Sequence, residues 1–369
     1  MKIELVELRR IAMPLRRPFR TSFGTQTRRD ILLVRVVTDV GEGWGECVAL
    51  ADPVYSSEYV EGAQQVLRDY LAPQALAAPL ASARRLADRV SAVMGHRMAK
   101  AALETALLDA ELRAASMSLA TYLGGVRDRV DCGVSVGIAP SVPELLDEVR
   151  GYVEEGYLRI KLKVEPGWDI EPVAAVRAEF GDDLLLQVDA NTAYTTTDLR
   201  RLARFDEFDL LLIEQPFAEE DLESHRVLSE TIRTPVCLDE SVVSAASAAD
   251  AIRRGACSVV NIKAGRVGGY LEAARVHDVC SALGVPVWCG GMLETGLGRA
   301  ANVALASLPG FTLPGDTSGS ARFYVEDITE PFVLEDGQLA VPQGPGLGVT
   351  PRTDVLDELT TSREELTAR

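Results

Sequence analysis

Five short apolar runs, each ending on charged residues, recur along the middle of the chain at nearly constant spacing. They occupy residues 159–164 (RIKLKV), 184–191 (LLLQVDAN), 210–216 (LLLIEQP), 235–241 (PVCLDES) and 259–265 (VVNIKAG). Their tips, Lys163, Asp189, Glu214, Asp239 and Lys263, are separated by 26, 25, 25 and 24 residues. Helical patterns lie between the tips, so the repeated unit is strand, charged tip, helix. A succession of such units builds a parallel sheet, because each helix carries the chain back to the end where the previous strand began. All the tips then gather at one end of that sheet.

The same template predicts eight strands: residues 130–137, the five runs, residues 286–292 and residues 312–315. The connecting helices are marked by Val173, Val176 and Phe180, by Leu199, Leu202 and Phe205, and by residues 271–283, closed by Gly284. Eight strand-helix units closing on themselves make a TIM-type (β/α) barrel, an α/β fold whose chemistry sits at the C-terminal ends of the strands. The rival is an open doubly wound sheet, which is expected to carry a glycine-rich first turn. No G-x-G-x-x-G follows a strand here, and there is no G-x-x-x-x-G-K.

A length of 369 residues allows about two domains. Residues 3–13 and 31–37 are β-rich, and Gly41 to Glu46 turns the chain back into a further strand, so a small antiparallel sheet is expected. Helical stretches follow at 56–70, 82–93 and 98–114. Together they predict an α+β capping domain over residues 1–123, with the barrel at 124–321. Residues 322–369 hold no further strand-helix unit and are expected to return to the capping domain. Between the first two strands, the loop 17–29 carries Phe19 and Phe23, which either tuck beneath it as a small cluster or belong to a lid over a substrate. His96, lying between two helices, reads as a structural hydrogen-bonding residue.

Hydrophobic residues at 47% and charged residues at 25% place the chain among ordinary globular proteins. The net charge of −17 argues against nucleic acid or an anionic membrane as a partner, since both are polyanions. The six cysteines show no C-x-x-C pair and read as buried small residues in a reducing compartment. The start, MKIELVELRR, lacks the apolar core of a signal peptide. The uncharged run at residues 279–293, interrupted by glycine and proline, falls short of the roughly 20 residues a membrane helix needs. A cytoplasmic protein is expected.

Asp189, Glu214 and Asp239 come from three consecutive strands at matching heights. Each alone is explained by a strand-end cap or an ion pair; three together suit a hard divalent cation such as Mg²⁺, without which they would repel one another. Side chains alternate along a strand, so Lys161 and Lys163 share one face, and Asn261 and Lys263 share another on the far side of the carboxylates. Adjacent ammonium groups disfavour each other's protonation, which makes a basic Lys163 accessible. For Lys161, a salt bridge to a neighbouring strand is an equally good reading. A lysine on each side of a metal site places a proton acceptor or donor on either face of a carbon acid, and the metal can stabilise the enediolate that forms when the α-proton leaves. Lysine base plus Mg²⁺ is the arrangement already known for the enolase superfamily.

With these residues in view, the chain resembles the muconate-lactonizing subgroup of the enolase superfamily. The segments RTSFGTQ (20–26), YSSEY (55–59), GHRMAK (95–100), SVGI (135–138), KLKVEPGWD (161–169), QVDANTAY (187–194) and GGMLETGLGRAAN (290–302) are similar to the o-succinylbenzoate synthase and N-acylamino-acid racemase family. The resemblance implies an enolase-like fold and Mg²⁺, with Mn²⁺ or another divalent cation able to substitute, held by Asp189, Glu214 and Asp239 and supported by Asn191, Glu240 and Asn261. It implies Lys163 and Lys263 as catalytic residues: the pair acts on opposite faces in racemisation, while in dehydration Lys163 removes the α-proton and assists loss of the β-hydroxyl. Lys161 would orient the substrate carboxylate. Asn191, Phe19, Phe23, Tyr55, Ser135, Gly291, Met292 and Phe323 would line the substrate pocket, which favours the lid for the phenylalanine loop. The expected partner is a small carboxylate, and the expected assembly a homo-oligomer.

Relatives with a histidine base after strand seven are disfavoured, because that strand ends on Cys289-Gly290-Gly291 and His277 falls in the preceding helix. Dipeptide epimerases are disfavoured because their D-x-D at strand eight is represented by Asp316 alone. A barrel that binds metal without turnover is disfavoured by the intact set of lysines and carboxylates.

Overall fold

The computed structural model describes residues 1–368. Its strands are, in chain order, β1 (Ile3–Thr21), β2 (Gly24–Thr38), β3 (Gly41–Cys47), β4 (Arg129–Asp131), β5 (Gly133–Val136), β6 (Arg159–Lys163), β7 (Leu185–Asp189), β8 (Ile213–Glu214), β9 (Val236–Leu238), β10 (Val259–Ile262), β11 (Val287–Cys289), β12 (Gln338–Ala340) and β13 (Thr360–Thr367). Among the described residues they form a seven-stranded sheet running from β5 to β11 in sequence order, a four-stranded sheet in the order β13-β1-β2-β3, and the pair β12-β4. Each pairing in the larger sheet is parallel, as the repeat requires.

The eighth strand expected at 312–315 does not form a ladder. The segment instead bridges both edges of the sheet, through Phe311 to Val287 on β11 and through Gly315 to Cys132 beside β5. Gly133 donates to the Gly315 carbonyl at 2.7 Å, and the Asp316 amide donates to the Cys289 carbonyl at 2.8 Å. Pro314 has no N–H to offer, which limits a regular ladder here. A few bonds therefore close a TIM-type barrel where the periodicity predicts a strand.

Inside the barrel, Leu212, Cys237, Val259 and Trp288 form a separate buried apolar cluster, with Leu313 packed against it. Alternation makes Glu214, Asp239, Asn261 and Gly290 the next inward positions along the same strands. An apolar plug thus supports a polar layer at the C-terminal ends. Local signals fix the outer helices: Ser141 caps Val142–Glu154 by accepting from the Glu144 amide, and Ser244 caps Ala245–Arg254, which ends on Gly255 at φ 73°. The helix expected around Leu199 to Phe205 is broken into one short α turn between 3-10 turns.

In the N-terminal region, Gly43 and Gly45 let β3 lie directly on the helix Arg97–Ala114. A Cβ at those positions would meet the Ala106 carbonyl oxygen at 2.2 Å and the Ala102 carbonyl oxygen at 2.0 Å. The buried Asp109 carboxylate ties this contact to the C-terminal segment, accepting from the amides of Trp44 at 3.0 Å and Leu347 at 2.8 Å. The helix expected at 56–70 starts at Val60 and continues through a π segment and Pro73 to Leu76; 82–93 is reduced to Ala83–Arg89.

The loop expected at 17–29 is mostly strand. β1 and β2 continue past a register shift between Pro14 and Phe19 to a turn at Thr21 and Gly24. β13 pairs antiparallel with β1, so the chain end returns to this sheet. Among the described residues, no helix is long and apolar enough to cross a membrane.

Candidate active site

β6 carries Arg159, Lys161 and Lys163 into the barrel at successive inward positions. The Lys161 ammonium contacts Asp316 at 2.7 Å, Glu214 at 3.1 Å and Asp189 at 3.2 Å, and lies 4.8 Å from the centre of the Trp288 ring. One turn of the pleat higher, Lys163 donates to Asp189 at 2.5 Å and to Asn191 Oδ1 at 2.6 Å. Across the site, Lys263 follows β10, donates to Asp239 at 2.7 Å and to the Tyr55 hydroxyl at 3.2 Å, and sits over the Tyr55 ring at 4.5 Å. Lys161, Lys163 and Lys263 line one pocket. The two lysines expected to act on opposite faces do lie on separate strands, each against its own carboxylate.

The electrostatics distinguish them. Burial, followed by repulsion from Lys161, shifts Lys163 toward its neutral form despite Asp189. Burial also works against the charge on Lys263, but Tyr55 and the carboxylates of Glu214, Glu240 and Asp189 outweigh it and hold that ammonium charged. Burial opposes ionisation of Asp189 as well, yet Lys163 and Lys161 keep it below the usual carboxylate range. Glu214 is raised by burial and by Asp189, its partner in the β7-β8 register. Burial and Asp189 push Glu240 up to about 7.

Glu240 accepts from Asn191 Nδ2 at 3.0 Å with one carboxylate oxygen; the other is buried without a partner among the described residues. Asn261 donates to Glu214 at 2.6 Å. These two residues and Asn191 therefore brace the carboxylate layer.

The pocket wall comes from both ends of the chain. Phe19 and Phe323 meet edge to face at 6.3 Å, and Phe23 lies 6.3 Å from Tyr55. Ser135, Asn191, Gly291 and Met292 also line it. The β1-β2 hairpin reaches this wall because Arg20 docks on the segment just after β5: the Ile138 amide donates to its carbonyl at 2.9 Å, and a Cβ on Gly137 would sit 2.8 Å from that oxygen. The Phe19 and Phe23 segment is thus a hairpin tip held over the barrel mouth.

Several residues escaped the sequence reading. Arg266, on the single turn after Lys263, contacts Asp239 directly and donates to the Asn261 carbonyl at 2.7 Å. Its signal was only its place three residues beyond a tip. Gln215 accepts from the Asp239 amide at 3.0 Å and joins the ends of β8 and β9. Asn191, Thr192, Gln215 and Leu293 all hold positive φ, so strained backbone collects at the strand ends that carry the site. Thr21, Gln26, Leu50, Leu293, Asp316 and Ser318 complete the lining.

Among the described residues, no group of three His, Cys, Asp or Glu side chains is disposed as a metal cage. The physical reason is visible: Lys161 lies against both Asp189 and Glu214, while Lys263 and Arg266 hold Asp239. The donor chemistry nonetheless fits a hard divalent cation. Three buried carboxylates end consecutive strands, and a fourth carboxylate beside them has an oxygen without a partner. The protein's own cations balance this charge where a metal would.

Comparison with known proteins agrees with this architecture. Residues 4–124 match the mandelate racemase / muconate lactonizing enzyme N-terminal domain, and residues 144–355 match the enolase C-terminal domain-like family. The chain is 66% identical to an N-succinylamino acid racemase of Amycolatopsis over 98% of its length and 99% of that protein. It is 47% identical to an o-succinylbenzoate synthase of Geobacillus stearothermophilus, covering 94% of this chain and 92% of that one. A solved enolase-superfamily structure from Listeria innocua superposes with a TM-score of 0.95 at 38% identity, covering 100% of this chain and 99% of the other. A barrel with lysines on its second and sixth strands, carboxylates on the three between and an antiparallel cap over its mouth is therefore matched along its whole length, and the chain belongs to the enolase superfamily, in the family of o-succinylbenzoate synthases and N-succinylamino acid racemases.

Proposed function

We propose that the chain exchanges the proton α to a substrate carboxylate, racemising N-succinylamino acids and also dehydrating 2-succinyl-6-hydroxy-2,4-cyclohexadiene-1-carboxylate to o-succinylbenzoate. The observation that carries this reading is the placement of Lys163 and Lys263 in one pocket, on strands separated by the three carboxylate-bearing strands. Whichever lysine enters as the neutral amine takes the proton from its own face, and the other, as an ammonium, gives one to the opposite face. In the reverse direction the roles exchange. For dehydration Lys163 suffices for both proton transfers, receiving the α-proton and passing it to the departing β-hydroxyl as water, while Lys263 stays charged beside the substrate.

Asp189, Glu214 and Asp239 would hold Mg²⁺, or Mn²⁺ in its place, with Asn191, Glu240 and Asn261 bracing them. When bound, the cation supplies positive charge against the negative charge that grows on the substrate carboxylate. Lys161 orients that carboxylate. Phe19, Phe23, Tyr55, Met292 and Phe323 exclude water and contact the apolar parts of the substrate, and Ser135 and Gly291 line the same pocket. In this reading residues 1–123 cap a barrel of residues 124–321, and residues 322–369 brace the cap. The six cysteines are free and buried, which supports a cytoplasmic enzyme; a homo-oligomer is proposed with it.

Deuterium exchange in D₂O tests the reading. With Mg²⁺ present, the α-proton of an N-succinylamino acid is expected to exchange, and 2-succinyl-6-hydroxy-2,4-cyclohexadiene-1-carboxylate is expected to lose water to give o-succinylbenzoate. Absence of both reactions refutes the activity, and exchange that survives when Lys163→Ala and Lys263→Ala are combined in one chain refutes the assigned bases.

A further inference from the structure

Asp316 stands outside the carboxylate layer of the three central strands, yet it makes the shortest of the contacts to Lys161. Its backbone is pinned: its amide donates to the Cys289 carbonyl at 2.8 Å, and the preceding Gly315 is bonded to Asp131 and Gly133. Its side chain is pinned as well. Arg159, fully buried, donates to one Asp316 oxygen at 2.9 Å and to the Pro314 carbonyl at 2.8 Å, and its guanidinium lies 5.2 Å from the Trp288 ring centre. Gly133 leaves room for that guanidinium, since a Cβ there would lie 2.3 Å from Arg159 Cζ. The second Asp316 oxygen faces the Lys161 ammonium at 2.7 Å.

Lys161 therefore divides its charge between two kinds of partner. Asp189 and Glu214, at 3.2 and 3.1 Å, are the carboxylates assigned above to a divalent cation. A divalent cation and an ammonium group compete for the same oxygens, because like charges side by side in a buried site repel strongly. Asp316 is a partner the cation does not claim, and Arg159 fixes it in place from below.

We propose that Asp316 is a positioning residue: it anchors Lys161 at the pocket wall, so that the ammonium withdraws from Asp189 and Glu214 when a divalent cation enters and stays in place for the substrate carboxylate. This rests on the metal-site reading above. Without the anchor, Lys161 settles on Asp189 and Glu214 and opposes the cation. The effect of Asp316 on metal binding must then pass through Lys161.

Isothermal titration calorimetry with Mg²⁺ alone, on the full chain, tests this in a double-mutant cycle of Asp316→Asn and Lys161→Met. Asp316→Asn is expected to weaken Mg²⁺ binding about tenfold, within the range for members of one ion-pair network, and to change it less than about twofold in the Lys161→Met background. Asp316→Glu, which retains the charge, should recover most of the lost affinity; if Asp316→Asn does not fold, Asp316→Ala carries the same cycle, its loss again expected to shrink in the Lys161→Met background. Unchanged affinity in Asp316→Asn overturns the proposal. So does a tenfold loss that persists undiminished without Lys161, which would make Asp316 a simple contributor of charge. Equal Mg²⁺ titrations of wild type and Asp189→Asn would instead overturn the metal site, and the proposal with it.

Discussion

One substitution, glycine to alanine, is expected to have opposite effects at two positions. At Gly45 an added Cβ would lie 2.0 Å from the Ala102 carbonyl oxygen and 2.9 Å from the Ala106 amide nitrogen. Both are main-chain atoms of the helix Arg97–Ala114, which cannot swing aside as a side chain does. Restoring an ordinary contact of 3.4 Å requires the strand and helix to separate by about 1.4 Å, opening a packed interface along its length. Overpacking of this kind costs about 3 kcal/mol, at the upper end of the usual range because the obstructing atoms are backbone. At Gly151, inside the helix Val142–Glu154, an added Cβ has nothing within 4 Å. Alanine there restricts the unfolded chain and is expected to stabilise by about 0.5–1 kcal/mol. Urea unfolding of Gly45→Ala, Gly151→Ala and wild type, read as midpoints at constant slope, measures both. The reasoning fails if Gly45→Ala matches wild type, or if Gly151→Ala is less stable than wild type.

Other outcomes follow from the same structure. Burial, with Glu294 adding to it against the hydrogen bonds from Thr295, raises the Glu46 carboxyl from 4.5 to about 7, so the native state keeps a proton that the unfolded chain releases near 4.5. The stability this contributes is present below about pH 4.5 and is lost as pH rises through 7, about 3 kcal/mol across that window; Glu46→Gln should gain on wild type by that amount, and a pH-independent difference between them refutes it. A Cβ on Gly290 would lie 2.2 Å from Asn261 Oδ1 and 2.8 Å from Lys263 Cε, so Gly290→Ala displaces a proposed catalytic lysine. About a hundredfold slower α-proton exchange is expected, and an unchanged rate would show that Lys263 tolerates the shift. Dialysis against EDTA should abolish exchange and Mg²⁺ or Mn²⁺ should restore it; full activity in the chelator rules out the metal assignment.

The strand-seven end illustrates how far the sequence reached. Cys289-Gly290-Gly291 argued against a histidine base there, and the structure adds the reason: Asn261 and Lys263 occupy the space a side chain at 290 would need. Asp316 went the other way. It read as the remnant of a D-x-D motif, whereas its neighbours are Arg159 and Lys161, 157 and 155 positions earlier in the chain.

The even spacing of Lys163, Asp189, Glu214, Asp239 and Lys263 determined by itself the parallel barrel, the end that carries the chemistry and the alternation that sets Lys161 and Lys163 on one face. These are local properties, because period and register depend on neighbours along one strand. The tertiary structure alone decided which carboxylate each lysine meets, how Arg266 and Gln215 enter, how residues 311–316 close the barrel with two bridges, and how the β1-β2 hairpin brings Phe19 and Phe23 over the mouth. Such contacts join residues more than a hundred positions apart, or depend on side-chain reach across a closed barrel. No periodicity along the chain records them.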